Sequence, residues 1–137
     1  MEESIKIEEA IAKALKLETV DPRTYSPLVL AYIGDAVYEL LIRTKVINHG
    51  SMQVNKMHKK SASLVKAETQ ANIIKAIQDD LTEEELAVYK RGRNAKSATT
   101  AKHATMIDYR MATGFEALIG YLYLQAQHNR LLELIRD

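Results

Sequence analysis

The chain has 137 residues, 47% hydrophobic and 27% charged, a globular rather than a disordered balance, and a length that suits one domain with a real core. It has no cysteine, which excludes disulfides, zinc–thiolate sites and thiol nucleophiles and fits a reducing cytoplasm; no run of 18 apolar residues offers a membrane span, and the acidic, amphipathic start lacks the basic region of a signal peptide. The net charge of +1 hides a segregation: residues 1–22 hold six acids (Glu2, Glu3, Glu8, Glu9, Glu18, Asp21) against three lysines, whereas residues 90–110 hold six Lys or Arg against Asp108, a stretch able to attract a polyanion.

Five glycines, two prolines and an abundance of Ala, Leu, Ile, Lys and Glu favour helix nearly everywhere, and no alternating apolar and polar run flanked by turn signals argues for a strand. The expected class is all-α, a helical bundle forming a single domain over 1–137. A first helix over about 3–17 would set Ile5, Ile7, Ala10, Ile11, Ala14 and Leu15 mostly on one face, before Asp21-Pro22 breaks it. Ser26-Pro27 reads as an N-cap and first helical position. That helix should run to about Asn48, with His49-Gly50 as its stop. Ser51 opens a short helix, and Ser61 or Ser63 caps the next, carrying Leu64, Val65, Ala67, Ala71, Ile73, Ile74 and Ile77. Thr82 with Glu85 forms a capping box for a helix ending near Arg91-Gly92. A polar loop or short helical turn follows from Arg93 to Thr105. The last long helix, about 107–126, has no polar face around Phe115, Ala117, Leu118, Ile119, Tyr121, Leu122, Tyr123 and Leu124, and so reads as buried on all sides.

The two most apolar helices carry the odd acids. In "AYIGDAVYEL" (31–40) Gly34 and Asp35 stand side by side, although glycine inside a helix costs about 1 kcal/mol relative to alanine and an unpaired carboxylate in an apolar setting costs more. Glu116 sits between Phe115 and Ala117. An acid from each of two packed helices can meet, and two carboxylates at close range repel unless a cation lies between them. A hard divalent ion such as Mg²⁺, held by one or two carboxylates with water and substrate phosphate, suits such a pair. Gly34 would let a neighbouring backbone approach the acid. A mid-helix acid more often faces solvent or pairs with Lys or Arg, so the pattern alone leaves both readings open.

Resemblance narrows them. "LAYIGDAVYEL" is similar to the signature helix of the ribonuclease III family, usually Leu-Glu-Phe-Leu-Gly-Asp-Ala-Val-Leu. "FEALIGYLYL" resembles its second acidic motif, usually Asp-Ala-Phe-Glu-Ala-Leu-Ile-Gly, and "HKKSASLVKAETQA" (58–71) resembles the helix between them. The three lie in the family's order over about residues 26–125. The loop "KRGRNAKS" (90–97) and the short stretch after Gly120 resemble the Mini-III branch, which lacks a double-stranded RNA-binding domain.

The resemblance implies a ribonuclease III catalytic domain that acts as a homodimer, an endoribonuclease cutting double-stranded RNA to 5′-phosphate and 3′-hydroxyl ends. It carries over Asp35 and Glu116 as catalytic residues and ligands of Mg²⁺, for which Mn²⁺ would substitute. The family's two other acids fall on Ala31 and Thr113, leaving two acids where the longer enzymes have four. Fewer protein oxygens imply more water or phosphate ligands and weaker metal binding before RNA arrives. Lys90, Arg91, Arg93, Asn94 and Lys96 are the expected RNA-binding residues, because a basic loop gains affinity through counterion release and A-form RNA is read through its backbone and shape. Lys102, His103 and Arg110 would extend that surface, whereas His58, Lys59 and Lys60 read as a solvated face. Tyr32, Tyr38, Tyr121 and Tyr123 are expected in core or dimer packing.

The expected role is maturation of precursor RNA, in the branch large-subunit (23S) ribosomal RNA, with a ribosomal protein or particle as a possible partner, in the cytoplasm and away from membranes. The competing expectation, kept open by Ala31 and Thr113, is a non-catalytic RNA- or ribosome-binding member of the same fold.

Overall fold

The most apolar stretch of the sequence becomes the axis of the fold. In the computed structural model, which describes residues 7–48, 54–95 and 105–136 with the side chains of 64 and 65 excepted, the chain forms α1 (Ile7–Leu15), α2 (Pro27–Asn48), α3 (Val54–Val65), α4 (Ala67–Ile77), α5 (Glu83–Asn94), α6 (Met106–Leu124) and α7 (His128–Ile135). Short 3₁₀ turns lie at Pro22–Thr24 and Gln78–Asp80. The fold is the expected all-α bundle, with no strand among the described residues.

From Ala112 to Leu122, α6 is buried at every position except the half-buried Glu116. α2, α4, α5 and α7 pack around it, and α3 bridges α2 and α4. Tyr38, Ile74, Tyr89, Phe115, Leu118 and Leu131 lie in the main core, where the Tyr38 and Phe115 rings meet edge to face at 5.4 Å, an arrangement the ring quadrupoles favour. Leu30, Ala31, Val88, Ala117 and Tyr121 form a second cluster.

Local signals set several ends as expected. The Ser26 hydroxyl accepts from the Val29 N–H at 3.3 Å. The Thr82 hydroxyl accepts from the Glu85 N–H at 3.1 Å while the Glu85 carboxylate accepts from the Thr82 N–H at 2.9 Å, closing the capping box. Thr105, left in the polar stretch by the sequence reading, caps α6 through the Asp108 N–H.

Elsewhere the structure differs from the sequence reading. Among the described residues α1 fully buries none: Ile7 and Leu15 of the expected apolar face are exposed and Ile11 is half-buried. Its first residues, like Lys96 and the segment 96–104 with Lys102 and His103, lie outside the described residues, as do His49, Gly50 and Ser51. α2 is buried on one face only, through Leu30, Ala31, Gly34, Tyr38 and Val46. Asp35 is exposed rather than held inside an apolar helix, and Tyr32 is 82% exposed. The expected helix from Ser61 or Ser63 is instead divided: α3 runs through Val65, and extended Lys66 (ψ 155°) interrupts the helix before α4. α5 continues past Gly92 to Asn94. Gly92 is no stop: a Cβ there would come within 2.8 Å of the Ala117 Cβ and 2.9 Å of the Gly114 Cα, so its bareness lets α5 press on α6. α7 went unrecognised in the sequence, although Leu131 and Leu134 enter the core.

Candidate active site

The site is made by two glycines. α2 and α6 cross so closely that a Cβ on Gly34 would lie 1.8 Å from the Glu116 carbonyl oxygen, and one on Gly120 would lie 2.0 Å from the Leu30 carbonyl oxygen. These obstacles are backbone, so neither position tolerates a side chain unless the helices separate. The contact answers the cost of Gly34 inside a helix: bareness lets the residue after it, Asp35, stand beside Glu116.

The crossing brings the Asp35 carboxyl close enough to act on that of Glu116. Burial pushes Glu116 up to about 9, reinforced by the hydrogen bond to Asp35 and then by its charge, while the Gln70 amide pulls the other way. Tyr38, beneath them, is pushed up to about 12 by burial and by the charge of Glu116. The ordinary position of this chemistry is a pair that cannot fully ionise without a cation. No group of three or more His, Cys, Asp or Glu suited to a metal occurs among the described residues, so the donor set is two carboxylates. That set fits Mg²⁺, which binds through one or two carboxylates and keeps the rest of its shell for water and phosphate; it does not fit a closed structural site.

The positions of the two acids absent from this sequence are filled apolarly or spent locally. Ala31 packs in the second core cluster. Thr113 is buried and its hydroxyl donates to the Tyr109 carbonyl at 2.9 Å, which leaves it turned to its own helix.

Of the expected RNA-binding residues, Lys90, Arg91 and Asn94 are exposed and Arg93 is half-buried, on the last turns of α5 rather than in a loop. The Arg93 guanidinium lies over the Tyr89 ring, 5.6 Å from its centroid, and its Nε donates to Asn94 Oδ1 at 3.3 Å. Those two side chains are partly committed to each other, leaving Lys90 and Arg91 as the freer cations. Gly92 packs against Gly114 and Ala117, so this basic turn flanks the segment of α6 that bears Glu116. His58, Lys59 and Lys60 are exposed on α3, and Arg110 is exposed on α6. His128 Nε2 meets Glu8 Oε1 at 2.9 Å, joining α1 to α7.

One residue at the site was missed. Gln70 of α4 is 1% exposed and its Nε2 donates to Glu116 Oε2 at 3.5 Å. A signal existed: Ala67, Gln70, Ala71, Ile74 and Ile77 share the apolar face of α4, and a polar residue on a core-facing stripe asks for a partner.

The comparisons agree with one another. A Ribonuclease III domain model matches residues 28–127. The chain is similar to Mini-ribonuclease 3 of Clostridium tetani, 56% identical over 85% of this chain and 78% of that protein. It is also similar to Mini-ribonuclease 3 of Brevibacillus brevis, 49% identical over 87% of this chain and 89% of that protein. A crystal structure of a Fusobacterium nucleatum protein superposes with a TM-score of 0.78 at 36% identity, covering 86% of this chain and 94% of the other.

Proposed function

The chain belongs to the ribonuclease III family and is an endoribonuclease, and from that premise we propose that Asp35 and Glu116 are its catalytic pair. They hold Mg²⁺, or Mn²⁺ in its place, against a phosphate of double-stranded or structured precursor RNA. The observation that carries this reading is the close crossing of α2 and α6 at Gly34, which sets Asp35 beside Glu116, whose carboxyl burial and Asp35 push up to about 9.

Each side chain has a task set by its surroundings. Asp35, exposed on α2, is the acid that an incoming phosphate reaches. Glu116, half-buried on α6, forms the back of the site, where its carboxylate would hold the cation from the side opposite the incoming phosphate. The chemistry that Mg²⁺ supplies when bound is acidification of the attacking water and compensation of charge on the phosphate. The oxygen of water joins phosphorus, the bond to the 3′ oxygen breaks, and that oxygen takes a proton, leaving 5′-phosphate and 3′-hydroxyl ends. Lys90, Arg91, Arg93 and Asn94 grip the RNA backbone from the end of α5.

Two copies form the working particle. Val29, Tyr32, Leu40 and Ile47 are exposed along one side of α2, at spacings that align them into an apolar stripe, and a stripe of this kind in so small a domain suits an interface with a second copy. The substrate is proposed as precursor large-subunit (23S) ribosomal RNA, encountered in the cytoplasm as naked RNA or on a ribosomal particle.

The test is cleavage of long double-stranded RNA by purified protein with Mg²⁺ or with chelator, beside Asp35→Asn. Wild type should cut only with the metal. The variant should bind RNA but not cut, and wild-type cutting by Asp35→Asn would overturn the assignment.

A further inference from the structure

A buried amide beside a carboxyl pair has a chemical consequence. Gln70 occupies a place on the apolar face of α4 that Leu or Met would fill without burying polar atoms, and burying an amide is costly unless it is hydrogen-bonded. Its Nε2 donates to Glu116 Oε2, from a third helix that contributes no acid to the site. At 3.5 Å the bond is at the long end for an amide donor on a carboxyl oxygen.

The neutrality of the donor matters. A Lys or Arg at this place would neutralise Glu116 and stand where a cation belongs. An amide fixes one oxygen of the carboxylate and adds no charge, leaving the pair's attraction for a dication undiminished. Partners that orient ligands without touching the metal govern its affinity in many sites.

We propose that Gln70 is a positioning residue for Glu116, holding the carboxylate in the orientation that admits a divalent cation beside Asp35. The inference rests on the assignment of Asp35 and Glu116 as the metal-holding pair.

The test uses Gln70→Leu and Gln70→Met, the second matching glutamine in length and flexibility so that packing is kept while the donor is lost. Mn²⁺ binding to RNA-free protein is followed by electron paramagnetic resonance, well below the melting temperature of each variant, and the Mg²⁺ dependence of cleavage is measured in parallel. Both variants should remain folded and bind RNA normally. They should bind Mn²⁺ about 10- to 100-fold more weakly, the range typical for loss of an orienting partner, and need correspondingly more Mg²⁺ for half-maximal cleavage. A role in packing alone would move the melting temperature and leave the metal titrations in place. Wild-type Mn²⁺ affinity in both variants would overturn the inference. Asp35→Asn in the same assays separates the two readings: if it cuts normally, the catalytic pair itself is misassigned, whereas if it is inactive while the Gln70 variants keep wild-type metal dependence, only the role of Gln70 falls.

Discussion

Gly34 lies under the carbonyl oxygen of Glu116, so near that a Cβ at Gly34 would come within 1.8 Å of it. Gly34→Ala therefore forces α2 and α6 apart at the point where the two carboxyls meet. The methyl also brings a helix-propensity gain of about 1 kcal/mol, set against an overpacking cost of roughly 1–3 kcal/mol or more, because backbone rather than side chain is in the way. The expected outcome is a lower melting temperature and a larger proportional loss of cleavage than of stability. Circular-dichroism melts beside a cleavage assay check both.

Glu116→Gln should change how stability depends on pH. The Glu116 carboxyl is raised to about 9 in the fold, while an unfolded Glu titrates near its ordinary value of about 4.3. Between these values the folded state keeps a proton that the unfolded state has released, so stability falls as pH rises through the window. Glutamine mimics the protonated acid and is free of that loss. In metal-free protein the variant should gain on wild type from pH 5 to 9, with a slope of at most about 1.4 kcal/mol per pH unit. Added Mg²⁺ should restore wild type and leave Glu116→Gln unmoved. Melting temperatures that track together across this range, with and without Mg²⁺, would contradict the assignment.

Much of this was readable in the sequence because it was local. Ser26-Pro27 and Thr82 with Glu85 fix helix starts through hydrogen bonds made within four residues, and the unbroken run of 117–124 without a charged residue marks the central helix. Register between helices leaves no such trace: nothing in the chain says that Gly34 faces Glu116 and Gly120 faces Leu30. For the same reason Asp35 read as enclosed when it is exposed at the margin of α2, and Gly92 read as a stop when it is a contact. Gln70 was missed because a single glutamine in a helix is unremarkable until the stripe it interrupts is known to face a carboxyl.

Lys90→Ala and Arg91→Ala should weaken RNA binding without unfolding the protein. Both side chains are exposed, and substitutions of that kind usually change stability by no more than about 0.5 kcal/mol. Each cation that neutralises a phosphate contributes roughly 1 to the slope of log affinity against log salt, so the double variant should show a slope shallower by roughly 2. Arg93→Ala should cost stability as well, because its guanidinium covers Tyr89. Filter binding of double-stranded RNA over a salt series checks the slope, and an unchanged slope removes the end of α5 from the RNA surface.

Arg130 clamps three elements together. Its Nε and Nη2 donate to the two Glu85 oxygens at 2.8 Å each and Nη2 also donates to the Asp80 carbonyl at 2.7 Å. The guanidinium holds the buried Glu85 carboxyl below the usual range. Arg130→Met leaves that carboxylate buried without its cation and should cost about 3 kcal/mol, the lower end for a broken buried pair since Arg130 is partly exposed. The contribution of a lowered carboxyl is present above its unfolded value and is lost as pH falls through its folded value. The gap between wild type and variant should thus narrow below about pH 4, which urea unfolding at a series of pH values measures.

Tyr32→Arg tests the second copy. The ring is 82% exposed, so within one chain the change removes almost no contact and should leave the monomer's melting behaviour near wild type. In a two-fold interface the same residue recurs on both sides, so one substitution sets two like charges in an apolar seam, where they are poorly solvated and repel. Sedimentation velocity should show wild type as a dimer and the variant as a monomer at the same concentration. Cleavage should then fall through loss of the paired sites while Asp35 and Glu116 remain intact within each chain. A variant that still sediments as a dimer would move the interface away from this stripe.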